Sequence, residues 1–208
     1  AMLQTREGAL WFATAGGGVA RFDSRSGSWK LYRKADGLGA DTVRSMAEDS
    51  EGSLWFGTAG AGVRQLDSRT GRWRTYDKGT ELGADTVLSI LADRGGNLWF
   101  GTLGAGVVKR DRRTGHFQHY GAAEGLDADR VKSILEDKDG ALWFGSVNGV
   151  HRLDPRSGRW SRYRKQSGLV DEDVRAMAQD PSGVLWFGTR AGVSKLNPRS
   201  GAWSTYRQ

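Results

Sequence analysis

The sequence predicts an all-β chain: a β-propeller of five four-stranded antiparallel blades, each 43–44 residues long. Three observations carry this. Leu-Trp-Phe recurs with its Trp at Trp11, Trp55, Trp99, Trp143 and Trp186, spaced 44, 44, 44 and 43 residues apart. Each repeat holds several short runs rich in β-branched and aromatic residues, none long enough for a helix. The 31 Gly against 3 Pro, within 208 residues, speak for many tight turns rather than flexible linkers.

The second repeat gives the elements in order. Val43–Glu48, Leu54–Thr58, Val63–Leu66 and Trp73–Tyr76 read as its four strands. Asp49-Ser-Glu-Gly52 joins the first two, and its counterparts begin at Asp93, Asp137 and Asp180. An Asp opening such a turn accepts backbone N–H bonds, and Gly supplies the positive φ at its end. Asp67-Ser-Arg-Thr-Gly71 joins the last two, with counterparts at Asp23, Asp111, Asp154 and Asn197. Pro155, Pro181 and Pro198 fall at second turn positions, where a fixed φ is favourable. Aligning residues 9–52 with 53–96 gives 24 identities in 44 positions, so the units are copies of one another.

A lone four-stranded sheet of this size leaves both faces wet. Stacking sheets around an axis buries the Trp, Phe and Leu between neighbours. An open β-solenoid is the competing architecture. The expected organisation is one domain over 1–208, with blades at approximately 1–37, 38–81, 82–125, 126–168 and 169–208. The first blade starts at the residue equivalent to Ser45, so a shortened strand and closure without covalent strand exchange are expected. A monomer is the favoured state; membership of a larger ring, or self-assembly, is the alternative.

Composition narrows the function classes. The chain is 26% charged and 38% hydrophobic, as globular chains are, and no apolar run approaches a membrane span. Without cysteine there are no disulfides, thiol nucleophiles or Cys–His zinc sites. Lys and Arg number 31 against 24 Asp and Glu, a net charge of +7. Acids interleave with the bases around the repeat, so no continuous nucleic-acid stripe forms and no specific nucleic-acid partner is expected. His116, His119 and His151 do not recur at equivalent positions, and no Gly-x-Ser-x-Gly elbow or metal-ligand spacing occurs. No catalytic residue, metal or cofactor is expected.

The pattern Gly-Leu-x-x-Asp-x-Val-x-Ser-[Ile/Met]-x-x-Asp-x-x-Gly-x-Leu-Trp-Phe-Gly, clear over Gly125–Gly145, resembles the two-component-regulator propeller repeat. The resemblance covers nearly the whole chain and implies a sensor-type propeller, periplasmic, recognising an oligosaccharide or other small ligand. It is weaker toward streptogramin-lyase-type propellers. Members of the family string together more repeats than this chain carries.

Candidate sites follow from where the repeats diverge. Trp11, Trp55, Trp99, Trp143 and Trp186 recur with the strand period and are expected to form the inter-blade core rather than a sugar-stacking surface. Arg25, Arg69, Arg113, Arg156 and Arg199 recur in the outer turns, as an exposed, charge-paired ring. One residue after the anchor valines stand Arg44, Leu88, Lys132 and Arg175, and two before them Asp41, Asp85, Asp129 and Glu172. The acids are expected to tie down loops. The cations Arg44, Lys132 and Arg175, with the repeat-breaking Asn148 and Arg190, are the candidate ligand-binding residues, suited to an anionic or saccharide ligand. The alternative function is a structural or protein-interaction scaffold with no small ligand.

Overall fold

The computed structural model describes residues 1–207. Strands β1 (Met2–Gln4), β2 (Leu10–Ala13), β3 (Val19–Asp23) and β4 (Ser28–Tyr32) make the first sheet. The second contains β5 (Val43–Glu48), β6 (Leu54–Thr58), β7 (Val63–Leu66) and β8 (Trp73–Tyr76), the four runs expected from the sequence. The third contains β9 (Val87–Ala92), β10 (Leu98–Thr102), β11 (Val107–Arg110) and β12 (Phe117–Tyr120). The fourth contains β13 (Val131–Glu136), β14 (Leu142–Ser146), β15 (Gly149–Asp154) and β16 (Arg159–Tyr163). The fifth contains β17 (Val174–Gln179), β18 (Leu185–Thr189), β19 (Gly192–Asn197) and β20 (Ala202–Arg207).

Each sheet is antiparallel and built from consecutive strands of one repeat. These are five blades of the β-propeller fold. Among the described residues each sheet takes its four strands from one repeat, and β1 has three residues where β5 has six. The only helical elements among the described residues are 3₁₀ turns at Lys34–Asp36, Ala122–Glu124 and Lys165–Ser167. None could cross a membrane. By its contacts the chain divides into two compact units, residues 1–103 with 108–118 and residues 104–107 with 119–208.

Within each unit, blades pack through one recurring kit. In the first unit Trp11 and Val19 meet Leu38 of the linker and Val43, Leu54 and Phe56 of the next blade. Trp55, Val63, Leu82, Val87, Leu98 and Phe100 repeat the arrangement. In the second unit the same parts are Trp143, Val150, Leu169, Val174, Leu185 and Phe187. Each such side chain contributes about 1.5–3 kcal/mol on burial. The first strands of neighbouring blades touch, β1 with β5, β5 with β9, and β13 with β17, so the sheets fan out from these strands.

A polar lock fixes the tryptophans. Asp49 Oδ1 accepts the backbone N–H groups of Glu51 and Ser53, while Oδ2 accepts the Trp55 indole N–H at 2.7 Å. The same indole bond runs from Trp99 to Asp93, from Trp143 to Asp137 and from Trp186 to Asp180. For Asp180, the bonds from Ser182 and then Trp186 bring the carboxyl down to about 2. In the first blade the equivalent position is Thr5, and the Trp11 N–H is buried without a partner.

Candidate functional site

The candidate cations occupy a bulge. In the second blade Val43 pairs with Thr58 and Ser45 with Gly57, leaving Arg44 between them without a cross-strand partner. The ladder skips Lys132 between Val131–Ser146 and Ser133–Gly145, and Arg175 between Val174–Thr189 and Ala176–Gly188. Leu88 sits in the equivalent irregularity of the third blade. A bulge bends the strand and re-aims the extra side chain.

Two of these cations share one partner. Lys132 and Arg175 both grip Asp173, Arg175 at 3.1 and 3.3 Å. Partial burial works to raise the Asp173 carboxyl. The hydrogen bonds and charges of Lys132 and Arg175 outweigh it and hold the group below the usual carboxylate range. Asp173 stands where the other blades carry Thr42, Thr86 and Arg130; that break in the repeat was its signal in the sequence. The recurring acids do tie down loops: Asp41 accepts the Lys34 N–H at 2.7 Å, Asp85 that of Lys78 at 3.0 Å, and Glu172 that of Lys165 at 3.5 Å. Arg44, in the first unit, is exposed. In the second unit Arg190 is exposed, and its backbone N–H donates to the Asp173 carbonyl.

Asn148 belongs to a different feature. Its N–H donates to Ser146 Oγ and its amide Nδ2 to the Asp127 carbonyl, both at 3.0 Å. Held this way, it forms one wall of a groove of about 530 Å³ in the second unit. Gly104, Ala105, Gly106, Gly121, Asp127 and Asp129 form much of the rest. The Gly104 and Gly121 N–H groups are already donated, to the Asp129 carbonyl at 2.7 Å and to Glu124 Oε2 at 2.8 Å, and the polar side chains on the walls are two carboxylates and an amide. Asp127 is held by Arg162 at 2.8 Å and Arg164 at 3.0 Å. Lys132, Arg175 and Arg190 do not line this groove, so the structure separates Asn148 from the cations grouped with it in the sequence.

The remaining candidates have structural places. Trp11, Trp55, Trp99 and Trp143 are buried, and Trp186 is half-buried. Arg25, Arg69, Arg113, Arg156 and Arg199 are exposed in turns whose Asp or Asn accepts their backbone N–H groups. His116 and His119 are exposed, whereas His151 is fully buried between Phe144 and Arg162 on neighbouring strands. Burial, then the positive charge of Arg162, pulls its imidazole down to about 4, against the opposing effect of Asp127.

Residues 37–60, 81–104, 125–148 and 168–191 match the two component regulator propeller family. No curated protein matches the chain. Among solved structures, the extracellular domain of the hybrid two-component system BT4673 from B. thetaiotaomicron superposes with a TM-score of 0.81 at 23% identity. The alignment covers all of this chain but 30% of that one. The extracellular domain of BT3049 from the same organism gives a TM-score of 0.64 at 22% identity, covering 100% and 34%. Virginiamycin B lyase from Staphylococcus aureus gives 0.75 at 17% identity, covering 100% and 69%. This chain thus spans about a third of the length of these two-component extracellular domains that share its fold. With the repeat matched four times and the blades in place, the chain carries the propeller repeat of the two-component regulator family.

Proposed function

We propose that the chain is part of a sensing propeller that binds a small hydroxyl-rich ligand, of saccharide type, without catalysing a reaction. The observation that carries this reading is the groove beside Asn148. Its walls offer the Asn148 amide and the Asp129 carboxylate, groups that exchange hydrogen bonds with hydroxyls. An anionic ligand is served less well, because Lys132 and Arg175 are already engaged by Asp173. Arg44 and Arg190 remain available to a charged substituent only outside this groove. The extracellular placement of the BT4673 and BT3049 domains favours a periplasmic or extracellular location. The family repeat favours sensing over the lyase chemistry of the more distant neighbour. The second reading, a protein-interaction scaffold, is favoured by the exposed aromatic side chains of Trp29 and Tyr206.

A thermal-shift screen at low and high salt tests the ligand reading. The panel holds neutral oligosaccharides, uronate-containing oligosaccharides, small phosphates and short nucleic acids. A ligand that binds only the folded chain raises the midpoint by mass action. The expected result is a shift with a neutral oligosaccharide that survives salt, disappears in Asn148→Ala and persists in the Lys132→Ala, Arg175→Ala double variant. A shift common to all polyanions and erased by salt would move the reading to the scaffold.

A further inference from the structure

Two positions of the third blade depart from the repeat side by side in space. The residue before the last turn is Phe22, Leu66, Leu153 or Leu196 in the other blades and Arg110 in the third. Leu66, Leu153 and Leu196 are buried; Arg110 is half-buried. Its guanidinium lies over the ring of the fully buried Trp55, at 5.4 Å. Stacking on an indole offsets part of the cost of taking a guanidinium out of water. The Arg110 Nε is nonetheless buried with no hydrogen-bond partner. A buried donor of this kind costs stability unless something accepts from it. Inside the turn itself, Arg112 stands where the other blades carry Ser24, Ser68, Pro155 and Pro198.

Both residues line a groove of about 200 Å³ between the second and third blades, within the first unit. Arg72 and Arg74 line it from the second blade, and these two and Arg112 are exposed. Among the described residues none of the four arginines is in an ion pair. Three carboxylates share the walls, Asp49, Glu51 and Asp67. Two of them are held by their own turns. Asp49 accepts from the Ser53 N–H and the Trp55 indole, and Asp67 from the Arg69 and Thr70 N–H groups.

We infer that this groove is an oxyanion site that takes a phosphate group, free or carried on a small organic molecule. Guanidinium forks present paired N–H donors that match the oxygens of a tetrahedral dianion. Four unpaired positive charges in one groove repel one another, and a dianion among them reverses the sign of that energy. A monocarboxylate brings two oxygens and one charge, fewer than four guanidiniums can use. The site stands apart from the ligand reading, whose groove lies in the second unit.

The test titrates the full chain with inorganic phosphate and with phenyl phosphate at constant ionic strength in chloride. Calorimetry reads the affinity, and heteronuclear NMR of the arginine Nε–H groups reads the place. The wild type is expected to bind saturably, with the Arg110 Nε–H resonance shifting. Arg110→Leu installs the residue of the other blades. It is expected to unfold at or above the wild-type midpoint without phosphate and to lower the affinity by about tenfold or more. Arg112→Ser, the residue of the first two blades, is expected to weaken binding as well. Arg113→Gln removes an exposed charge outside the groove and is expected to change the affinity by less than about twofold. Binding of phenyl phosphate assigns the site to a phosphate group on an organic molecule; binding of inorganic phosphate alone assigns it to the free ion. No saturable binding of either probe overturns the inference. So does an Arg110→Leu variant that binds as the wild type does, or a loss in Arg113→Gln as large as that in Arg110→Leu.

Discussion

At single positions the stability of the blades rests on the aspartate that opens each first hairpin turn. Asp137 accepts backbone N–H groups from Asp139 and Ala141, and the Trp143 indole N–H at 2.7 Å. Asp137→Ala strands the buried indole donor and is predicted to cost about 3 kcal/mol in denaturant unfolding. Thr5→Asp supplies the partner that Trp11 lacks and is predicted to gain about 1 kcal/mol. The turn itself was legible in the sequence. The lock was not, because a spacing of six residues becomes a contact only once the hairpin is folded. His151 gives a pH signature. Its imidazole is held at about 4 in the folded chain, below the ordinary 6.5, so the unfolded chain takes the proton first. The stability it provides is full above about 6.5 and falls as pH drops toward 4, by at most about 3 kcal/mol. His151→Val, which installs the residue type of Val108 at the equivalent position, is predicted to lose this component when unfolding free energies at pH 7 and pH 4.5 are compared.

Among elements, the strands were the most legible feature, because short runs of β-branched and aromatic residues bounded by turn residues mark both ends of a strand. The bulge at Arg44, Lys132 and Arg175 was not legible, since an extra residue in one strand leaves its own pattern almost unbroken. The linkers were read only as loops. Three of them contain 3₁₀ turns ended by glycines with positive φ, Gly37, Gly125 and Gly168, each standing against the outer Trp of the following blade. The third blade has Phe117 in place of that Trp, and there the linker carries Glu81 in place of Gly. A Cβ at residue 125 would stand 3.1 Å from the Trp160 ring, on a backbone with φ of 102°. Gly125→Ala is therefore predicted to destabilise by about 1–2 kcal/mol. Phe117→Trp is predicted to be tolerated better with Glu81→Gly than alone, with a coupling of about 1 kcal/mol in a double-mutant cycle.

For the molecule as a whole, the copied units made the fold readable, since one repeat understood is five understood. The candidate site was readable only in part, for the same reason: a binding site in a repeat protein lies where copies diverge, and divergence alone does not say which residues meet. Asn148 was identified as a repeat-breaking residue, and it lines a groove. Two of the cations grouped with it, Lys132 and Arg175, are bound to Asp173, whose place in a charge cluster depends on the bulge that turns them toward it. The net charge of +7, left after every acid is counted, supports only weak attraction to anions. Amide chemical-shift mapping of the full chain during titration with neutral oligosaccharides would locate a ligand residue by residue. The prediction is saturable shifts at Gly104, Gly106, Asp129 and Asn148. Saturable shifts confined to the turn arginines Arg69, Arg113 and Arg156, or none with any saccharide, would contradict a ligand groove at Asn148.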